Sequence, residues 1–238
     1  MRLIFVDETS DFKFSDYFGL SVAVMNSSFY GQIKRGFQRI LTDAGWDPCV
    51  EFKGSYLFSA TKGCQNVGIE ERIGMASAIL SLSVAKANAR MRFAYCCNRS
   101  TDAKSDYLKY LPPLLGKALP RAETKAGKNL AAIYCDYRSD LRASEIQEAV
   151  LPTLEHKGYT LLEDVVTVDS SFHTVGILYA DLVAYLAGRI DTISNDSELF
   201  DSIPADQLQN NGRVRKLRAS VALINRVKRL QAFRVADT

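Results

Sequence analysis

Apolar and polar positions along the first half of the chain follow the pattern of strands and helices. Residues 2–8 and 17–25 are apolar runs separated by a polar turn, so they predict two paired strands. Farther along the chain, a helix is predicted over 69–87 and a strand over 92–97. The first helix is predicted behind polar residues at 26–28, where apolar residues recur at helical spacing: Phe29, Ile33, Phe37, Ile40 and Leu41.

The second half continues this alternation. In the helix predicted over 106–119, Pro112-Pro113 predicts a kink or a division into two short helices. The order of elements predicts one mixed α/β domain over 1–192. The predicted elements are, in chain order, a helix over 106–119, a strand over 130–136, a helix over 143–156, a strand over 161–168 and a helix over 175–190.

Residues 193–238 are predicted to form a polar loop and a basic helical extension that packs on or beside the domain. The helix has an apolar stripe formed by Val214, Leu217, Val221, Ile224 and Val227. Its basic residues are compatible with binding a phosphate backbone, and the alternative is a solvated helix face. The candidate nucleic-acid contacts are Arg215, Lys216 and Arg218.

The composition is that of an ordinary soluble globular protein. The 238 residues are 47% hydrophobic and 24% charged, with a formal net charge of +3. No long uncharged apolar stretch indicates a membrane span, and the N-terminus lacks the features of a secretory signal. Five cysteines without metal-binding spacing and only two histidines disfavour structural zinc. These features predict a reduced, cytoplasmic protein without a membrane partner.

Four carboxylates stand in segments that the pattern predicts to be ordered or buried. Asp7 and Asp136 each end an apolar strand, Asp181 interrupts an apolar helix, and Glu51 opens the irregular stretch 46–68. A carboxylate that leaves water needs a partner or a cation, because an unpaired buried charge costs several kcal/mol. Ends of adjacent strands converge at one edge of an α/β sheet. The four residues therefore predict a site that gathers carboxylates around a divalent metal.

The chemistry of such a site suits phosphodiester cleavage. Two Mg²⁺ or Mn²⁺ ions about 4 Å apart activate the attacking water and neutralise the phosphoryl oxygens. Oxygen ligands without histidine favour these ions over zinc, and Lys53 is placed to contact the scissile phosphate. Structural alternatives remain: a solvent-facing end for Asp7, a loop ion pair for Glu51 with Lys53, and a turn role for Asp136.

Four segments of the chain carry motif-like sequences: Phe5-Val6-Asp7-Glu8-Thr9-Ser10-Asp11, Glu51-Phe52-Lys53-Gly54-Ser55, Cys135-Asp136 and Val168 to Ala184. These segments resemble the motifs of the domain-of-unknown-function (DUF) 3800 family, which comprises bacterial and phage proteins with an RNase H-like core and no settled activity. Thr9-Ser10 stands where the family pattern has Ser-Gly, and Leu178-Tyr179 stands where it has Gln-Leu. Neither departure removes a carboxylate. The resemblance spans about residues 2–190, and it implies an RNase H-like mixed sheet flanked by helices.

The resulting hypothesis is a metal-dependent nuclease or phosphodiesterase in which Asp7, Glu51, Asp136 and Asp181 hold the metal and Lys53 assists. A restriction-type nuclease built on the Glu51-x-Lys53 pattern is the alternative within the same class. A non-catalytic module that binds nucleic acid or protein is the alternative from another class. DNA or RNA is the expected partner. A homodimer is compatible with the sequence.

Three nearby polar groups are expected to be structural. Glu8 should point to the sheet face opposite Asp7, because side chains alternate along a strand. Asp169 and Ser170 are predicted to cap the helix that follows, and His173 is predicted to be structural or solvated.

Overall fold

The computed structural model describes residues 1–11, 17–59, 61–82, 91–100, 102–122, 129–186, 223 and 232–234. The strands are β1 Arg2–Asp11, β2 Tyr17–Asn26, β3 Met91–Arg99, β4 Leu130–Asp136, β5 Thr160–Leu161, β6 Val166–Val168 and β7 Ala232–Arg234. The helices are α1 Ser27–Asp43, α2 Ile69–Leu82, α3 Ala103–Ala118 and α4 Ala143–Lys157, with α5 over 175–186. A single 3₁₀ turn lies at Gly54–Tyr56.

The strands form one mixed sheet in the order β5-β4-β1-β2-β3-β7, with β6 also paired to β4. β1, β2 and β3 are an antiparallel meander, whereas β4 is parallel to β1, and β5 and β6 are parallel to β4. A meander extended on its first strand by parallel strands, with helices on both faces, is the RNase H-like arrangement. The predicted fold class is confirmed.

Two apolar layers cover the two faces of the sheet. Leu3 and Phe5 pack with α1, α2 and α5, and we call this side the α5 face. Ile4 and Val6 pack with α3 and α4, on the side that we call the α3 face. Because side chains alternate along β1, the α5 face is also the side of Asp7.

Three predicted elements differ from the structure. β1, predicted over 2–8, runs to Asp11, so Asp7 lies within the strand and not at its end. α3 runs unbroken through Pro112 and Pro113, so the predicted division into two helices is wrong. Buried leucines on both sides of the prolines, including Leu111 and Leu114, hold this helix against the sheet, and packing overrides local propensity. The single strand predicted over 161–168 is two short strands, β5 and β6, which pair with the start and the end of β4.

Most of the C-terminal extension, including Arg215, Lys216 and Arg218, lies outside the described residues. Leu223 is helical and buried in the apolar layer of the α5 face. β7 adds a parallel strand beside β3, where the sequence pattern had predicted no strand. Among the described residues, no helix has the length and apolar character needed to cross a membrane.

Candidate functional site

Asp7 and Asp181 are brought to the same face of the sheet by a buried serine. Asp7 lies in β1 opposite Ser21 of β2, and both side chains belong to the α5 face. The Ser21 hydroxyl donates a 2.6 Å hydrogen bond to the carbonyl oxygen of Ala180 in α5. Asp181 is the next residue of that helix. The bond therefore fixes the Asp181 turn of α5 over the strand pair that carries Asp7.

Asp136 reaches the same edge of the sheet from β4. The parallel pairing of β1 with β4 ends with Val6 opposite Cys135, so Asp7 and Asp136 are the next residues on two adjacent strands. The alternation of β4 places Asp136 on the α5 face. Its Oδ1 accepts a 2.9 Å hydrogen bond from the hydroxyl of Ser170.

The predicted capping role of Asp169 and Ser170 is wrong. α5 begins at 175, so both residues lie too far upstream to satisfy its first N–H groups. The Ser170 hydroxyl binds Asp136 instead. His173 Nδ1 lies 3.3 Å from Gln38 Nε2 on α1, in an exposed position, which agrees with the predicted structural or solvated role.

The irregular loop brings a carboxylate and a cation toward Asp181. Lys53 Nζ lies 3.1 Å from Glu51 Oε2, and the backbone N–H of Gly54 donates to Asp181 Oδ2. The charge of Lys53 also acts on Asp181 and Asp136. The loop ion pair between Glu51 and Lys53 therefore exists, and it stands within electrostatic reach of the site.

Arg72 organises this loop, and no sequence motif pointed to it. Its guanidinium is buried without a carboxylate partner in the described contacts, and it lies 5.9 Å from the ring centroid of Trp46. Such a group is satisfied only by a shell of acceptors. It donates five hydrogen bonds of 2.6–2.9 Å to backbone carbonyls of Tyr56, Ser59, Lys62, Cys64 and Val67.

Burial and the charges of neighbouring carboxylates raise the pKa of Asp7 and of Asp181. Burial raises the pKa of Asp7 well above its ordinary value, and the charges of Asp181 and Asp136 raise it further. Burial raises the pKa of Asp181 to about 7, against the opposing hydrogen bond from Gly54 and the charge of Lys53. The site therefore concentrates negative charge that a cation would relieve.

The raised pKa of Asp181 predicts how the metal-free protein responds to pH. The group titrates at about 7 in the folded chain and near its ordinary 3.8 in the unfolded chain. Its contribution to stability is therefore fully present below about pH 4 and is lost as the pH rises through 7. We expect the melting temperature to fall between pH 5 and pH 8, with a shallower fall in Asp181→Asn. An equal slope in both proteins, measured by calorimetry in EDTA, would contradict the shift.

The types of donor atom fit a hard divalent cation, although the side chains do not form a complete coordination shell. Carboxylates and a serine hydroxyl are the ligands that Mg²⁺ and Mn²⁺ prefer. Within the described part of the chain, no three Asp, Glu, His or Cys side chains are grouped closely enough to hold a metal ion. Glu51 is engaged by Lys53, so binding through Glu51 requires that pair to open.

Glu8 lies apart from this group, as its position in the strand predicts. It points to the α3 face, and its Oε1 lies 3.0 Å from Arg138 Nη1. Burial raises the pKa of Glu8 to about 7, although the charge of Arg138 opposes the shift. Arg138 is a second residue with which the sequence pattern associated no role.

Comparisons with known proteins find similarity in structure alone. No family model matches the chain, and no curated protein matches it in sequence. A chain of the PCNA:RNase HII complex from Archaeoglobus fulgidus aligns with a TM-score of 0.43 and 11% identity, over 93% of this chain and 89% of that chain. The ribonuclease H2 from Pyrococcus horikoshii OT3 aligns with a TM-score of 0.44 and 9% identity, over 96% and 99%. Likenesses at this level say nothing of activity, and the RNase H-like fold follows from the strand order.

Proposed function

We propose that the protein is a metal-dependent nuclease or phosphodiesterase. The observation that carries the proposal is the convergence of Asp7, Asp136 and Asp181 on one face of an RNase H-like sheet, at the point where the pairing of β1 with β4 stops and beside α5. A sheet edge of this kind is where α/β proteins place their ligands. The raised pKa values of Asp7 and Asp181 add support, because strongly shifted groups concentrate at functional sites.

Under this proposal Asp7, Asp136, Asp181 and Glu51 hold one or two Mg²⁺ or Mn²⁺ ions. Bound ions would supply an activated water and neutralise the phosphoryl oxygens. The residues of the chain bind and orient them, and Ser170 fixes the Asp136 carboxylate through its hydrogen bond. Lys53, once released from Glu51, is the cation placed to contact a phosphate.

The restriction-type alternative receives no support from the geometry. That reading requires Glu51 and Lys53 on a strand of the core sheet. Both residues instead precede the 3₁₀ turn in an irregular segment, and the N–H that follows them binds Asp181. The carboxylates of the sheet edge therefore remain the centre of the proposal.

A Mn²⁺-dependent cleavage screen tests the proposed activity. Single- and double-stranded DNA, RNA and RNA–DNA hybrid would be incubated with the protein in Mn²⁺, in Ca²⁺ and in EDTA. We expect cleavage of at least one substrate in Mn²⁺, its loss in EDTA, and its loss in Asp136→Asn. Metal-dependent binding of every substrate without cleavage would instead favour the non-catalytic binding module. Activity that survives both EDTA and Asp136→Asn would exclude the carboxylate mechanism.

The basic extension gives a separate prediction about the partner. If Arg215, Lys216 and Arg218 contact a nucleic-acid backbone, affinity should fall steeply with salt because counterions are released on binding. Replacing all three with serine should weaken binding and flatten the salt slope, with the cleavage rate at saturating substrate unchanged. Fluorescence anisotropy across a salt series measures both effects. An unchanged slope would remove this segment from the interface.

A further inference from the structure

An ion-pair cluster joins β1 to the segment after β4 on the α3 face, behind the candidate site. It links residues 7–8 to residues 136–138, which we call the strand ends because the pairing of β1 with β4 stops there, although β1 itself continues to Asp11. Arg138 Nη1 lies 3.0 Å from Glu8 Oε1, while Nε and Nη2 bind the two carboxylate oxygens of Asp140 at 2.9 and 2.7 Å. The guanidinium carbon also lies 5.5 Å from the ring centroid of Tyr107 on α3. These contacts hold a planar, forked group in one orientation. We call these four residues the Arg138 cluster.

The Arg138 cluster begins where the backbone pairing of the two strands stops. The last pair places Val6 opposite Cys135, and the next residues are Asp7 and Asp136. The ion pair joins Glu8, one residue after Asp7, to Arg138, which lies two residues beyond the end of β4 at Asp136. A side-chain link thus replaces the backbone pairing at the level of the two aspartates.

Such a link opposes the repulsion between the two aspartates, each of which is otherwise paired only on its far side, Asp7 with Ser21 of β2 and Asp136 with Val168 of β6. The charge of Asp136 acts unfavourably on the buried Asp7, and beyond the last pair no backbone pairing between the two strands opposes their separation. On the α3 face, opposite the aspartates, the ion pair of the Arg138 cluster holds the same two chain segments together. Its effect on the site has a mechanical part, through the backbone of residues 7–8 and 136–138, beside the charge of Glu8, which acts on Asp7.

The chemistry of the cluster suits a geometric role better than a stabilising one. Among the described residues, Glu8 Oε2 is a buried oxygen with no hydrogen-bond partner. Burying an incompletely satisfied ion pair is costly, and apolar replacements of such pairs are often neutral or stabilising. The ion pair between Glu8 and Arg138 is costly for folding, yet it joins the two strand ends at the site. We therefore explain it by the separation that it imposes on those strand ends.

We infer that Arg138 is a positioning residue: through Glu8 and Asp140 it holds residues 7–8 of β1 and residues 136–138 at the separation at which Asp7 and Asp136 can share a cation. The part of this inference that concerns the cation rests on the proposed function. The part that concerns the order of the strand ends does not. The two parts are measured separately.

Hydrogen exchange in EDTA tests the order of the strand ends without metal. The reporters are the N–H of Glu8, which binds Asp7 Oδ1 at 2.7 Å, and the N–H of Tyr137, which binds Val168 O at 2.9 Å. In Arg138→Met both amides should exchange about tenfold faster relative to amides of α1. Local opening then breaks no ion pair, so its free energy is lower. Arg92→Met is the matched control, because it makes the same substitution on β3, where Arg92 Nη2 donates to the carbonyl oxygen of Lys117 at 3.3 Å. Unchanged exchange in Arg138→Met overturns the inference.

Calorimetric titration with Mn²⁺ tests the consequence for the site. Arg138→Met should bind Mn²⁺ about 10–100-fold more weakly than wild type, as is usual when the residues that orient metal ligands are lost. Arg138→Lys keeps the charge without the fork and should recover part of that affinity. Glu8→Gln, which preserves the side-chain volume, gives the same test should Arg138→Met fail to fold.

The outcomes separate the inference from the proposed function. Mn²⁺ affinity that depends on Asp7 but is equal in wild type, Arg138→Met and Glu8→Gln overturns the inference and leaves the proposed function intact. Mn²⁺ affinity that is equal in wild type and Asp7→Asn overturns the proposed function, and with it the role of the cluster in cation binding. The exchange experiment then still decides whether Arg138 orders the strand ends.

Discussion

Replacing Asp7 with asparagine is expected to lower Mn²⁺-dependent cleavage by about 10³-fold or more, the equivalent of losing several kcal/mol of metal-derived stabilisation of the transition state. Asp7 is the buried member of the group, and the charges of Asp136 and Asp181 both act on it. Asparagine keeps the shape of the side chain but removes the charge that a divalent cation requires. Single-turnover rates on the best substrate of the cleavage screen measure the effect.

Two controls keep this result specific. Asp43→Asn removes an exposed carboxylate at the end of α1 and should leave the rate unchanged. The metal-free melting temperature of Asp7→Asn at pH 8 should equal or exceed that of wild type, because the substitution removes a buried charge that burial disfavours. A rate within tenfold of wild type would contradict the assignment of Asp7 to the metal.

Replacing Gly54 with alanine is expected to reduce cleavage by about 10²-fold, the usual effect of displacing a site group by about 1 Å. A Cβ at this position would lie 2.6 Å from the Cβ of Tyr185 on α5. Because a Cβ is fixed to its backbone, no side-chain rotation relieves this contact. The loop must therefore move away from the helix. That movement breaks the hydrogen bond to Asp181 and shifts Glu51 and Lys53. Cleavage rates and Mn²⁺ affinity should both fall.

Gly74→Ala is the matched control for this substitution. Gly74 lies inside α2, where an added Cβ meets nothing within 4 Å. Alanine there should raise the free energy of unfolding by about 0.5–1 kcal/mol through helix propensity, with the cleavage rate unchanged. A wild-type rate in Gly54→Ala would show that the approach of the loop to α5 is not needed for activity.

The positions of the main carboxylates could be predicted from sequence because each interrupts or ends a strongly periodic segment. Asp136 ends β4 as predicted, whereas β1 runs on to Asp11 and Asp7 lies within it, directly after the last pair between β1 and β4. Asp181 is conspicuous within an apolar helix. Ser21 carried a similar signal, as a polar residue within the apolar run 17–25, and its bond to α5 gives that signal a physical reason.

Other features depend on contacts that leave no local pattern. Arg72 is bound by backbone carbonyls, which every residue has, so its shell cannot be inferred from residue types. Arg138 meets Glu8 across more than a hundred residues of chain, and only the fold brings them together. β5 and β6 contain two and three residues, too few for strand periodicity to mark their separation.

The central claim is that the carboxylates at this sheet edge bind a divalent cation, and anomalous diffraction from crystals grown in Mn²⁺ tests it most directly. The account predicts a Mn²⁺ peak within coordination distance of Asp7, with Asp136 or Asp181 among the other ligands and Glu51 released from Lys53. Crystals of Asp7→Asn grown in the same Mn²⁺ concentration should lack that peak. A wild-type crystal at saturating Mn²⁺ with no peak among Asp7, Asp136 and Asp181 would contradict the account.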